Sequence, residues 1–472
     1  MDRRDFIQRI AAAPVGLAAT PLAAGGLVGC GQKPPGRPAL PIQNPAGHLL
    51  WQNWSGLQHA YPAQRLGVMA EAALAAQLQA AVPPIRVAGA GHSFNAQVAT
   101  EGTLVSVDAL SGVVQHDAAQ FTAVVRAGTR LQQLGEQLAK IGQEMPNLPD
   151  INKQTLAGAI ATATHGTGLR LQALHGGVQQ FRLLTVQGDA LTCSPSENPE
   201  VFHAALVGLG SFGVVTEYTL KNQPLGRTHR QTQVRPVREI MQDWPRLCQQ
   251  HRSAEFYYIP STGLGVQILH DATEAPLKAR PADQDMDSLR DLKKLRDYAS
   301  WSLPLRKFLA RNIGGEHAPE DAVDEGWKLL SSERTLPFNE MEYHLPIEHQ
   351  LAALEQIITV TERDFPEVFY PMELRVVAAD EQAWLSPFYQ RTTGSIAVHC
   401  DAAEDHRPFF AAIEPILRQY GGRPHWGKLH TLEAAALRKL YPRFDEVAAV
   451  RARLDPQNRL LNPYLKALWG VA

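Results

Sequence analysis

The sequence predicts an α+β protein of two parts, and three observations carry that prediction. Up to Leu220, short apolar runs alternate with patterns of helical spacing. From about Gln223 the composition shifts, and strand-like and helical runs follow in an order that suits an antiparallel sheet under helices. Two stretches of the first part, residues 85–95 (IRVAGAGHSFN) and 148–168 (LPDINKQTLAGAIATATHGTG), are poor in large side chains. Small residues bury little apolar area, so such runs do not favour a packed core.

A chain of 472 residues has volume for two or three domains. Its 45 Lys and Arg nearly balance its 47 Asp and Glu. That leaves no strongly basic face, and no nucleic-acid partner is expected. Beyond residue 31 no apolar run reaches the length of a spanning helix. The four cysteines, Cys30, Cys193, Cys248 and Cys400, lack metal-ligand spacing. A disulfide scaffold is not expected, although one bridge stays open.

Residues 1–31 read as a targeting segment and are set apart from the fold. Arg3 and Arg4, before Asp5, Phe6 and Ile7, resemble a twin-arginine export signal. Leu27-Val28-Gly29-Cys30 resembles a lipobox, whose cysteine becomes a lipidated N-terminus. Cleavage after a nearby small residue, giving a soluble product, is the alternative. The expectation is an exported bacterial protein, periplasmic or held at a membrane through Cys30. Residues 32–45, rich in Pro and Gly, read as a tether.

The first part then covers residues 46–222. Residues 71–81, rich in Ala and Leu, predict a helix. Residues 85–88 are a short buried strand that breaks into Gly89-Ala90-Gly91. Residues 104–107 and 121–125 predict strands. Leu131, Leu134 and Leu138 recur at helical spacing within 129–141. A strand at 181–186, a helix at 199–206, a glycine turn at 208–213 and an alternating strand at 214–220 close this part. The second part, 223–430, predicts strands at 255–260, 264–270, 338–346, 372–378 and 395–400. A charged, largely helical lobe spans 278–311, and 347–365 predicts a helix with Leu351, Leu354 and Ile358 on one face.

The two small-residue stretches are the candidate binding surface. A chain without bulk at 89–91 can turn sharply and bring its backbone close to another molecule. Its consecutive N–H groups form an anion-binding concavity, which Ser93 could extend. An ordinary tight turn and a close contact between elements are the plain alternatives. With GLGSFGVVTEYTL at 208–220, these stretches resemble the FAD domain of the vanillyl-alcohol-oxidase family (the PCMH type). They are most similar to its branch of sugar-1,4-lactone and alditol oxidases. The resemblance covers nearly all of the chain after the leader. It implies a two-part FAD-binding domain under an α+β substrate cap, with residues 431–472 returning to the FAD domain. It implies FAD contacts from Gly89, Ala90, Gly91, His92, Ser93 and Phe94. Further contacts come from Pro149, Asp150, Thr155, Gly158, Thr162, Thr164 and His165, with Val214 and Val215 toward adenine and ribose. In that family the histidine of the glycine loop is usually bonded covalently to the flavin, and here it is His92.

Glu373 and Arg375 lie two apart on a predicted strand, so they share a face. They form a donor–acceptor unit suited to a polyol or lactone, or a structural ion pair of the sheet. Residues 422–430 (GRPHWGKLH) resemble the HWGK signature of the same oxidases. Lys428 would then hold a substrate hydroxyl or the flavin, with His425 and Trp426 shaping the wall. No carboxylate or cysteine near His425 and His430 completes a ligand set in sequence, so no metal is expected. His399 ends a strand, as a core residue or, as in similar enzymes, facing the pocket. Glu340 and Glu342 read as pocket wall or cap structure.

The implied chemistry is hydride transfer from a carbinol carbon to flavin N5. Glu373, Arg375, His399 and Lys428 would orient the substrate. Electrons would then pass to dioxygen, giving hydrogen peroxide. Pro149 stands where the family governs oxygen access, and proline there goes with oxidases. A dehydrogenase passing electrons to a quinone or cytochrome is the alternative. A non-catalytic, exported carbohydrate-binding lipoprotein is a reading of another class. A monomer is expected.

Overall fold

The computed structural model describes residues 40–280, 285–299, 301–314, 320–332 and 334–472. The leader, with Arg3, Arg4 and Cys30, lies outside the described residues. No helix among them is long and apolar enough to cross a membrane.

The first part is built on a three-stranded and a five-stranded sheet with helices between them, besides two two-stranded ribbons. Strands β1 (Gln64–Gly67), β2 (Ile85–Ala88) and β3 (Thr103–Ser106) form a parallel sheet in the order β1-β3-β2, with helix α1 (Glu71–Ala80) crossing between its first two strands. Strands β4 (Val113–Asp117), β5 (Thr122–Arg126), β6 (Val178–Leu184), β7 (Ala190–Cys193) and β8 (Val214–Lys221) form an antiparallel sheet in the order β7-β6-β8-β5-β4. Helix α2 (Leu131–Lys140) buries Leu131, Leu134 and Leu138 completely. Each such leucine contributes roughly 1.5–3 kcal/mol of burial. Helices α3 (Leu156–Ala161) and α4 (Pro199–Ala205) follow. Strand β4, absent from the predicted elements, is exposed over most of its length and has no apolar alternation to announce it.

The second part is one antiparallel sheet of eight strands. These are β9 (Arg227–Pro236), β10 (Ser253–Ile259), β11 (Leu264–Thr273), β12 (Glu320–Glu325), β13 (Phe338–Pro346), β14 (Met372–Val377), β15 (Thr393–Asp401) and β16 (Arg423–Pro424). Their order is β12-β9-β11-β10-β14-β15-β13-β16. Helices α5 (Val237–Gln250), α8 (Gln350–Asp364) and α9 (Arg407–Gln419) accompany them, and α6 (Asp285–Ala299) and α7 (Leu303–Gly314) form the charged lobe. The lobe is not helical from its predicted start, because Lys278 pairs with Val323 as an antiparallel bridge. Strand β9 was not predicted: Thr, Gln and Arg fill RTHRQTQVRP, and only its pairing with β11 and β12 makes it a strand. Strand β13 matches its expected span, and both of its faces are buried.

After β16 the chain turns back. Helices α10 (Ala434–Leu440), α11 (Phe444–Leu454) and α12 (Pro463–Trp469) pack against the first part. Arg459 donates to the carbonyls of Leu78, Gln79 and Ala81, and Trp469 Nε1 donates to Ser211 Oγ at 3.3 Å.

Candidate active site

The loop after β2 turns because Gly89 and Gly91 allow it. A Cβ at Gly89 would stand 2.3 Å from Thr155 Oγ1, and Gly91 has φ +70°. Thr155 Oγ1 is held there because it caps α3, accepting from the Gly158 N–H at 3.2 Å. The first small-residue stretch thus lies directly on the second. The amides of Ala90, Gly91, His92 and Ser93 donate to no protein group among the described residues. Four adjacent unpaired N–H groups form a receptor for an anion.

Beneath this loop lies Arg86, completely buried. Its guanidinium donates to the carbonyls of Gln97 (2.6 Å), Leu209 (2.7 Å), Gly210 (2.8 Å) and Leu460 (2.5 Å). Burial draws its pKa down to about 9, against the opposing charge of Asp455. One side chain on β2, the strand that carries the glycine loop, thereby ties that strand to Gln97, the 208–213 turn and the C-terminal segment.

The loop, α3 and the start of β8 enclose a cavity of about 1230 Å³, the open mouth included. Gly89, Ala90, Gly91, His92 and Ser93 line it, as do Thr155, Gly158, Thr162, Thr164, Val214 and Val215. His92 leans on Trp54 at 5.4 Å between ring centroids. Burial first, then the charges of Lys428, Arg130 and Lys153, hold its pKa down to about 4, so the imidazole is neutral. Thr162 Oγ1 is committed to the Gly158 carbonyl at 3.0 Å. Phe94 corrects the expectation. Its side chain is turned out of this cavity and stacks on Phe338 at 5.6 Å, with Lys428 Nζ 5.1 Å from the ring centroid. The ring supports the lysine.

The glycine loop is stitched to the HWGK segment. The Phe94 N–H donates to Gly427 O at 2.8 Å, and Asn95 Nδ2 donates to Trp426 O (2.7 Å) and Lys428 O (3.0 Å). Lys428 and His425 therefore stand at the rim of the first cavity and also line a second. Gln154 and Thr164 complete the shared wall. Trp426 does not shape the wall: it is buried, donates to Leu385 O at 2.6 Å and stacks on Tyr441.

Glu373, Arg375, His399 and Lys428 all line the second cavity, under the eight-stranded sheet. So do Pro149, Asp150 and His165, which sequence reasoning had grouped with the cofactor contacts. Asp150 pairs with Arg334 at 2.9 Å. Two partners were missed. Glu255 accepts from Arg375 Nε at 2.8 Å, and Tyr257 Oη donates to Glu373 Oε1 at 2.5 Å. Both sit on β10, where a polar residue every second position in a buried strand was the available signal. One guanidinium is therefore shared by two carboxylates, since Arg375 also pairs with Glu373. Burial, opposed by Arg375 and reinforced by Glu255 and Asp150, pushes Glu373 up to about 7.

Glu340 and Glu342 are more than wall. Glu340 lies 2.5 Å from Lys428 Nζ and 3.6 Å from His399 Nε2. Burial disfavours its charge, but Lys428 and His399 outweigh that and pull its pKa down to about 2. Glu342 accepts from His165 Nε2 at 2.8 Å and Ser395 Oγ at 2.5 Å. His344 lies beside this pair. With the carboxylate already bonded twice, the group is read as a hydrogen-bonded network. His430 turns away from His425, toward Tyr464 at 3.2 Å.

The first cavity fits FAD. Unpaired amides suit a pyrophosphate, flat walls of small residues suit a ring system, and a neutral imidazole faces in.

Comparison with known proteins agrees. The profile of the D-arabinono-1,4-lactone oxidase family matches residues 218–468, and that of an FAD binding domain matches 68–194. An L-gulono-1,4-lactone dehydrogenase of Mycobacterium tuberculosis is 33% identical over 436 residues, 89% of this chain and 99% of that protein. An alditol oxidase of Streptomyces is 30% identical over 391 residues, 80% of this chain and 89% of that protein. A solvent-stable cholesterol oxidase shares the fold at a TM-score of 0.74 and 17% identity, covering 91% of this chain and 100% of that one. The chain belongs to the D-arabinono-1,4-lactone oxidase family of FAD-dependent oxidoreductases acting on sugar lactones and alditols.

Proposed function

We propose that the protein oxidises a CH–OH group of a sugar alcohol or aldono-1,4-lactone, with FAD held covalently through His92 and dioxygen as electron acceptor. One observation carries this: the cavity of Glu373, Arg375, His399 and Lys428 shares a wall with the cavity of His92, formed by Gln154, Thr164, His425 and Lys428. Bound there, FAD supplies a hydride acceptor. The neutral imidazole of His92 is a competent nucleophile for attachment.

The chain's own residues orient the substrate and move its proton. Arg375 and Lys428 donate to substrate oxygens, and Glu373 accepts from a hydroxyl. His399 Nδ1 faces the Pro371 carbonyl at 2.8 Å, so that nitrogen carries the hydrogen. Nε2 lies 3.6 Å from Glu340 Oε1, so the ring is held between a carbonyl and a carboxylate and positions the substrate, and the carboxylate of Glu373 takes the carbinol proton. Fixed donors on a rigid sheet make most of this contribution positional.

A dehydrogenase using a quinone or cytochrome is the second reading, supported by the name of the mycobacterial relative. Pro149 in the cavity wall supports the oxidase. The paired arginines and the Leu27–Cys30 segment support export, with Cys30 as a lipid anchor or cleavage nearby. The test is anaerobic flavin bleaching by a panel of alditols, aldonolactones and free sugars, followed by oxygen-electrode turnover. Bleaching with peroxide formation is expected. Bleaching without oxygen uptake, relieved by a quinone, would select the dehydrogenase. No bleaching by any member would overturn the proposal.

A further inference from the structure

We propose that the second cavity contains an apolar subsite, and that the preferred substrate is an alditol or lactone bearing an alkyl or aryl substituent. The inference rests on the proposed function and specifies its substrate class.

The sheet register places the subsite. Glu373 pairs with Tyr257, Tyr257 with Val266, and Val266 with Val234, one row across β14, β10, β11 and β9. All four side chains line the same cavity. Neighbouring strands are about 4.8 Å apart, so Val266 lies roughly 10 Å, and Val234 roughly 14 Å, from the Glu373 strand. The row therefore runs from charged to apolar. Ile268 and Ile259 flank Val266, and Leu289 and Leu292 of α6 line the cavity with them. Arg230 also lines the cavity, on the same face of β9 as Val234 but four positions, roughly 13 Å, along the strand from it.

A bare polyol has no use for this half. Each hydroxyl placed there would lose water without gaining a partner, a cost of about 1–3 kcal/mol. A hydrocarbon group loses nothing polar and gains the burial. The charged half, next to the flavin cavity, holds the carbinol end, and the Val–Ile–Leu half holds the substituent.

A series of 1-O-alkyl alditol ethers, methyl to hexyl, each with a free carbinol at the other end, tests this on the flavin-loaded enzyme. Expected is a rise in kcat/KM of up to about fourfold per methylene, the factor for moving one CH2 out of water, until the subsite is full. Val266→Phe and Leu292→Phe fill the space from sheet and helix. Each should cut the hexyl-to-parent ratio at least tenfold, and a ratio stays readable in a partly impaired enzyme. A flat or falling series with a parent alditol that still bleaches the flavin would overturn the subsite and leave the proposed function standing. A flat series in which alkyl quinones of growing length instead accelerate reoxidation would overturn it in favour of an acceptor site. A flavin bleached by no member would overturn both.

Discussion

Lys428 Nζ stands 2.5 Å from Glu340 Oε2, and that buried carboxylate depends on it for its charge. Lys428→Met should leave an uncompensated buried anion and destabilise the protein by about 3–5 kcal/mol. Adding Glu340→Gln should return most of that loss, and denaturant unfolding reads both. The pH dependence has a fixed sign. Glu340 is lowered from 4.5 to about 2, so the pair's stabilisation is present above about 4.5 and fades as pH falls toward 2. The Lys428→Met variant should lack that acid-side loss.

Glu373 has the opposite sign. It is raised from 4.5 to about 7, so the stability that it contributes is complete below about 4.5 and is lost as pH rises through 7. In Glu373→Gln the fall of melting temperature between those pH values should flatten. As the carboxylate is the form that accepts from a substrate hydroxyl, kcat/KM should rise with pH through about 7 in the unaltered enzyme. That limb should vanish in the variant.

His92→Ala should release the flavin. In the unaltered protein, yellow colour and fluorescence should stay with the polypeptide after acid precipitation. In the variant they should appear in the supernatant. Flavin fully extractable from the unaltered protein would remove the covalent bond from the proposal.

Arg86→Met should leave four carbonyls without their donor. Loss of at least about 3 kcal/mol is expected, since hydrogen bonds to a buried charged group contribute about 1.5–3 kcal/mol each. Flavin content per chain should fall with it, because β2, which carries the glycine loop, is tied to the 208–213 turn by that anchor.

Much of this was legible in the chain. Strand β13 and the helix α2 announced themselves through alternation and leucine spacing, which local sequence encodes. Glu373 and Arg375 were legible as a pair because strand periodicity puts them on one face. Glu255 and Tyr257 were not, because the register joining β10 to β14 links positions more than a hundred residues apart. Phe94 was misread for the reverse reason. Its neighbours Ser93 and His92 face the cavity, but Phe338 on a distant strand draws its ring away. Arg86 looked like an ordinary strand residue, since nothing local reveals four carbonyls converging on it.

That convergence has a consequence for biosynthesis. Leu460 is one of the four groups held by Arg86, and it lies 374 positions further along the chain. Until the ribosome has released that residue the cradle is missing a wall, however well the early strands have folded. A polypeptide halted before Leu460 should therefore emerge colourless.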